Sequence, residues 1–218
     1  MLLPIQTDVP MERWPIANWA IMALTIVVSV WGFGDLNGLT IPSGWLNREN
    51  PQLSQLITHQ FYHADFWHLV GNMIFLFVFG NAVNARLGHL YFVPAYLLCG
   101  AAAGLAWLAM GQGQAMLGAS GAIMGVMGLF VVYYPRNDVR VGWWFFFRWG
   151  SWYLSAWIVV AAYFVLDVIG SMRSGTGVAS IAHVGGSVTG FLMAVALLKS
   201  GLVRPGPHEE PMFQPNRE

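Results

Sequence analysis

Gly118-Ala119-Ser120-Gly121-Ala122-Ile123-Met124-Gly125-Val126-Met127-Gly128-Leu129-Phe130-Val131-Val132-Tyr133-Tyr134 is an apolar run that opens on a serine and is stopped by Pro135. Later in the chain, Ala182-His183-Val184-Gly185-Gly186 opens another apolar run on a histidine. Hydrocarbon offers an imidazole no hydrogen-bond partner, so a histidine at membrane depth is costly. Serine costs less, because its hydroxyl bonds back to its own helix. Together the two residues have the chemistry of a nucleophile and its general base, provided the fold brings them together.

Composition supports reading these runs as membrane segments. Hydrophobic residues make up 56% of the chain and charged residues only 9%, whereas soluble domains carry about 25% charged residues. The formal net charge of zero argues against a nucleic-acid partner, which favours a basic patch. The single cysteine, Cys99, lies in an apolar stretch, can form no intrachain disulfide and reads as buried packing. Residues 1–15 carry acids as well as Arg13, and no small-residue cleavage site follows the first apolar run, which reads as a retained signal anchor.

The apolar segments long enough to span a bilayer, or nearly so, cover residues 16–33, 66–85, 90–110, 118–134, 153–172 and 178–198. The expected fold is an all-α membrane protein, a six-transmembrane-helix bundle with a long membrane-associated loop over 34–65. Its expected organisation is a cytoplasmic N-terminal segment over 1–15, a membrane domain over 16–199 and a disordered cytoplasmic tail over 200–218. With six spans both termini share one side, which holds Arg13, Arg86, Arg136, Arg140, Arg148, Lys199, Arg204 and Arg217, leaving Arg48 and Arg173 on the other. That asymmetry places both termini in the cytoplasm. The aromatic run Trp143–Trp149 then falls at the cytoplasmic interface.

This topology makes the second, fourth and sixth segments run inward from the outer face, each carrying its unusual polar residues near its start. Asp65 is a candidate N-cap, and His68 and Asn72, four residues apart, share a helix face. At 1.5 Å per residue and a core about 30 Å thick, Ser120 lies roughly 9 Å and His183 roughly 6 Å below the outer boundary. Gly121, Gly125 and Gly128 form one small-residue stripe, and Gly186 and Gly190 form another on the face of His183. Such stripes let membrane helices touch backbone to backbone, here bringing Ser120 and His183 to a common interface.

At these residues the sequence resembles the rhomboid family of intramembrane serine proteases. The matching stretches are Gly118-Ala119-Ser120-Gly121, Ala182-His183-Val184-Gly185-Gly186, His68 with Asn72 inside the run from His63, and Phe79-Gly80-Asn81 through Arg86-Leu87-Gly88. The resemblance covers about residues 56 to 191 and is of the minimal, prokaryotic type. It implies a Ser120–His183 dyad without an acidic third member, and an oxyanion hole of His68, Asn72 and the Ser120 backbone N–H. It also implies transmembrane protein substrates, a bilayer setting and no cofactor. Where many family members place an aromatic ring one turn after the serine, this chain has Met124. The adjacent Trp-Arg pair of some members has its residue types here in Trp45 and Arg48, separated by Leu46 and Asn47.

Other polar residues read more plainly. His59 and His63 are expected to make structural hydrogen bonds; with no thiolate partner and few carboxylates nearby, no metal site is expected. Asp167 is expected near the outer end of the fifth segment, at the interface. That segment and the Gly- and Ser-rich loop 170–179 are candidate gate and lid. The alternatives are a non-catalytic rhomboid-like protein that binds membrane clients, whose relatives usually lack the serine or the histidine, and a transporter or channel with an outward cavity. A transporter would want charges deep in several helices, and Asp167 is the only candidate.

Overall fold

The computed structural model describes residues 2–33, 42–172, 178–206 and 209–213. In chain order the elements are β1 (Leu2–Thr7), α1 (Ile16–Gly32), β2 (Leu46–Asn47), α2 (Gln55–Thr58), α3 (Phe66–Phe75), α4 (Asn81–Met110), β3 (Ala115–Met116), α5 (Ser120–Tyr133), β4 (Asp138–Phe145), β5 (Arg148–Ser155), α6 (Ala156–Ser171) and α7 (Val178–Lys199). A 3-10 turn, His59–Phe61, follows α2, and a π-helical turn, Leu76–Gly80, joins α3 to α4. The long helical stretch breaks at Gly88, whose φ of 71° is a left-handed conformation that glycine adopts without a Cβ penalty. That break lies between the segments expected over 66–85 and 90–110.

By length and composition, Phe66–Met110 and Ser180–Lys199 are apolar and long enough to cross a membrane, whereas α1, α5 and α6 are apolar but shorter. α5 lies at the centre, with every side chain from Gly121 to Tyr133 buried. A helix apolar on all sides is stable only when surrounded, and α4, α6 and α7 surround this one. The glycine stripes set its distance from α7. A methyl group on Gly186 would strike the carbonyl oxygen of Gly121, and one on Gly190 that of Gly125.

α1 is inside out by the standards of a soluble helix. Its buried residues include Asn18, Thr25 and Ser29, while Leu24, Val27, Val30 and Trp31 are exposed. Asn18 uses its burial: its Nδ2 donates to Leu76 O at 3.0 Å and to Asn81 Oδ1 at 2.9 Å, and its backbone N–H donates to Asn84 Oδ1 at 3.1 Å. The side chain thus reaches a carbonyl at the start of the π-turn, where the regular i→i−4 ladder is interrupted.

The all-α expectation needs correction. β1, β4 and β5 form an antiparallel sheet in the order β1-β4-β5, with Leu3 opposite Gly142, Thr7 opposite Val139 and Trp143 opposite Gly150. The aromatic run read as an interfacial belt is therefore largely a hairpin. Its two-residue turn, Phe146-Phe147, contains no glycine, asparagine or aspartate, and Phe146 takes a φ of 51° that bulky residues rarely adopt. The fifth helix consequently starts at Ala156, because Tyr153–Ser155 belong to β5.

The tail read as disordered makes contacts over its described residues. Met212 N–H donates to Val132 O at 2.8 Å, Val203 is buried, and Phe213 meets Phe191 with ring centroids 6.1 Å apart.

Candidate active site

The stretch that leads into α3 fixes both the start of that helix and the turn before Ser120. Asp65 caps α3, its Oδ1 accepting from His68 N–H at 2.9 Å, which orients the first turn of that helix. The preceding loop holds the turn at residues 118 and 119: Gly118 N–H donates to His59 O at 2.9 Å, and Ala119 N–H to His63 Nε2 at 3.4 Å. Because Nε2 of His63 accepts, its Nδ1 carries the proton, pointed at Ser29 Oγ at 2.9 Å, while the Ser29 hydroxyl donates to Phe61 O. The structural hydrogen bonding expected of His63 is thus seen directly.

With the N–H groups of Gly118 and Ala119 engaged, that of Ser120 has no partner among the described residues. It sits at the first residue of α5, where free N–H groups and the helix dipole both favour an anion. Gly118 has a φ of 123°, and a Cβ there would lie 3.0 Å from His68 Cε1 and 3.8 Å from Ser120 Oγ. The glycine therefore lets the His68 ring and the Ser120 hydroxyl approach from either side.

A cavity of about 370 Å³ collects the candidate residues. α3 contributes His68 and Asn72, α5 contributes Ser120 and Met124, and α7 contributes His183. Asn72 Nδ2 and His183 Nε2 are buried and have no hydrogen-bond partner among the described residues. Ser120 and His183 share the cavity without a direct hydrogen bond, a separation common in the absence of substrate. The glycines do not line it but set it up: Gly121, Gly125, Gly186 and Gly190 hold α5 against α7 just below. Met124, one turn after Ser120, packs in the wall.

Two features of the cavity depart from expectation. Asp167 is part of its wall, and its Oδ1 lies 2.8 Å from His183 Nδ1, a partner the sequence reading did not give it. The signal was available in the sequence: Asp167 is four residues from the end of α6 at Ser171, roughly 6 Å along the axis, which matches the depth of His183. Leu3 of β1 also lines the cavity, so the N-terminal segment is not confined to the opposite end of the bundle. β1 pairs with β4, which starts just after α5 ends, and runs back about 17 Å, close to the length of α5, about 20 Å.

Arg48 stands apart from the cavity and braces the loop. Its guanidinium donates to Trp107 O and to Leu108 O, and lies 4.5 Å from the Trp107 ring centroid. A cation on the last carbonyls of α4 satisfies groups that the helix leaves open. Of the lid expected over 170–179, residues 173–177 lie outside the described residues.

A serine, two histidines, an asparagine and an aspartate around one cavity in an apolar helical bundle define a class: membrane-type bundles with a polar interior site. The Rhomboid domain profile matches residues 50–200. The chain belongs to the rhomboid family, a family of integral membrane proteins. It is 26% identical over 174 residues to rhomboid-like protein 11, chloroplastic, of Arabidopsis thaliana, covering 73% of this chain and 58% of that protein. It is 31% identical over 143 residues to rhomboid protein 1, mitochondrial, of Saccharomyces cerevisiae, covering 63% and 40%. It is 28% identical over 185 residues to rhomboid-like protein 12, mitochondrial, of Arabidopsis thaliana, covering 73% and 49%. The chain thus spans about half the length of the curated relatives it matches.

Proposed function

We propose that this chain is an intramembrane serine endopeptidase that cleaves transmembrane or membrane-proximal peptide bonds of membrane proteins. The observation that carries the reading is that Ser120, His183, His68 and Asn72, from three helices, line one cavity of the bundle. In the reaction, His183 Nε2 takes the Ser120 Oγ proton as Oγ attacks the scissile carbonyl carbon. The carbonyl oxygen becomes an oxyanion, held by the Ser120 N–H, the Asn72 amide and the His68 ring. Collapse breaks the C–N bond, and the imidazolium gives its proton to the departing amine. Water, deprotonated by the same imidazole, then hydrolyses the acyl ester and restores Ser120.

The bundle crosses the membrane six times in this reading, with the start of α1 and the tail after α7 on the cytoplasmic side, the cavity toward the outer face, and β1 running back from α1 to the cavity wall. The inside-out burial of α1 and the Gly88 break support it. Short loops fit the plasma membrane of a prokaryote. A substrate helix must unwind locally to expose a carbonyl, so the favoured substrates carry small or helix-breaking residues near the outer boundary. They reach the cavity between α3 and α6, which both line it and meet through the rings of Phe75 and Tyr163. A cross-link between those helices is expected to block cleavage of membrane substrates.

The test compares the purified chain with its Ser120→Ala variant on a model transmembrane substrate in liposomes. Cleavage by the first alone supports the proposal, and equal product from both would sink it. A non-catalytic client-binding protein would retain the substrate uncut. Labelling of Ser120 by a fluorophosphonate, lost in His183→Ala, checks the pair without a substrate.

A further inference from the structure

We infer that Asp167 is a third, positioning member of this site, holding His183 in the tautomer and orientation that Ser120 requires. The inference rests on the Ser120–His183 reading and extends it. A neutral imidazole has one donor nitrogen and one acceptor nitrogen. An ionised carboxylate only accepts, so the 2.8 Å contact to Oδ1 puts the proton on Nδ1. Nε2 is then the basic nitrogen, buried in the same cavity as Ser120 and free of other partners among the described residues. The distance is that of a charge-assisted hydrogen bond.

Asp167 is the only acidic or basic residue in α6, and its side chain is 18% exposed. A carboxylate in such a place is costly unless paired, and its hydrogen-bonding carboxylate oxygen is directed at the one imidazole of α7. Met124, which lines the cavity from α5, is a flexible thioether that fills space without fixing a ring plane. The carboxylate supplies the fixed direction. When Ser120 passes its proton to Nε2, the ring becomes a cation beside an anion, which lowers the energy of the charged intermediate. Around the cavity the other titratable groups are His68 on α3, with Asp65 and His63 behind it, and Tyr163 on α6; α5 contributes none.

The experiment uses the full chain in liposomes with a model transmembrane substrate, and the variants Asp167→Asn and Asp167→Glu. Asparagine is expected to lower kcat by about 10–1000-fold while leaving KM within about threefold. Because the imidazolium loses its anionic partner, the acid limb of the pH–rate profile moves to lower pH. Glutamate is expected to restore part of the rate. Independently of turnover, ¹⁵N-histidine NMR should show a low-field Nδ1–H proton that His183→Ala and Asp167→Asn both remove. A full-rate Asp167→Asn enzyme with an unchanged acid limb would overturn the role of Asp167 while leaving the dyad intact. If Ser120→Ala kept full activity, the protease reading would fail by itself, and the NMR signal would still decide the contact. An Nδ1–H proton unchanged by both Asp167 substitutions would overturn it.

Discussion

Asn72 Nδ2 is a buried donor without a partner among the described residues, whereas the buried amide nitrogens of Asn18 and Gln60 are both paired. Such a group is costly to keep unless something arrives to accept from it. In the proposed reaction, an oxyanion forming above Ser120 is that acceptor. Asn72→Ala is therefore expected to slow turnover by about 10–1000-fold, with fluorophosphonate labelling and substrate kinetics as the measurements; a full-rate variant would remove it from the site. His59 and His63 act differently, through protonation. Burial pushes the His63 imidazole down to about 3, with the neighbouring His68 adding to the effect and Asp65 opposing it, and burial pushes His59 down to about 4. Above the unfolded value of about 6.5, neither state binds a proton and burial carries no protonation penalty. As pH falls through that value the unfolded loop takes up protons that the folded one refuses. Stability is then lost by up to about 1.4 kcal/mol per pH unit for each group. Thermal unfolding between pH 7 and pH 5, or exchange of the Gly118 and Ala119 amides, should show it, and a flat profile would contradict it. At this scale the sequence spoke through residue type and spacing: Ser120, His183, His68 and Asn72 were all legible. Asp167 was passed over because its partner lies on another helix, and only depth matching links the two.

Among the elements, the helices were legible because each lies in a long, mostly apolar run, several of them bounded by glycine or proline. Their packing was legible too, since the glycine stripes of α5 and α7 meet as their spacing implies. The sheet was not. Its hairpin lacks turn residues, its strands are rich in tryptophan that also suits a membrane interface, and β1 is paired with a strand more than a hundred residues away. The glycine contact yields a prediction that belongs to the helix pair. A Cβ on Gly190 would lie 2.8 Å from Gly125 Cα and closer still to its carbonyl, all backbone that cannot turn aside. Gly190→Ala should push α7 from α5 at a cost of about 1–3 kcal/mol. The same shift would spread Ser120 from His183, so activity should fall further than the loss of folded protein explains. Gly71→Ala, with open space around its Cβ, serves as the stability control. Equal unfolding temperatures for the two variants would show that the backbone contact is not needed.

For the whole molecule, the informative contact is the one that ties distant parts of the chain together. The Arg86 side chain, 7% exposed, forms an ion pair with Glu209, which is 7% exposed, and another with Glu12 at 3.4 Å. Its Nε also donates to Tyr134 Oη at 3.2 Å. One guanidinium thus joins the segment before α1, the helix before the Gly88 break, the end of α5 and the tail. The tail reads as disordered from its prolines and charges, because composition counts Glu209 as a solvated charge and cannot see that an arginine far back in the chain encloses it. Removing one member of a buried pair leaves the other unpaired, which costs about 3–5 kcal/mol, whereas replacing both by apolar groups is often neutral. Arg86→Leu is therefore expected to lower the unfolding temperature strongly, and adding Glu209→Leu to recover much of the loss. Glu12, at 44% side-chain exposure, keeps its hydration when Arg86 goes, so Glu12→Gln should have little effect by itself. The measurement is thermal unfolding of the four proteins in one detergent. If the double variant were no more stable than Arg86→Leu, the arginine would be acting through Tyr134 and the helix ends, and the tail would be a passenger on the bundle.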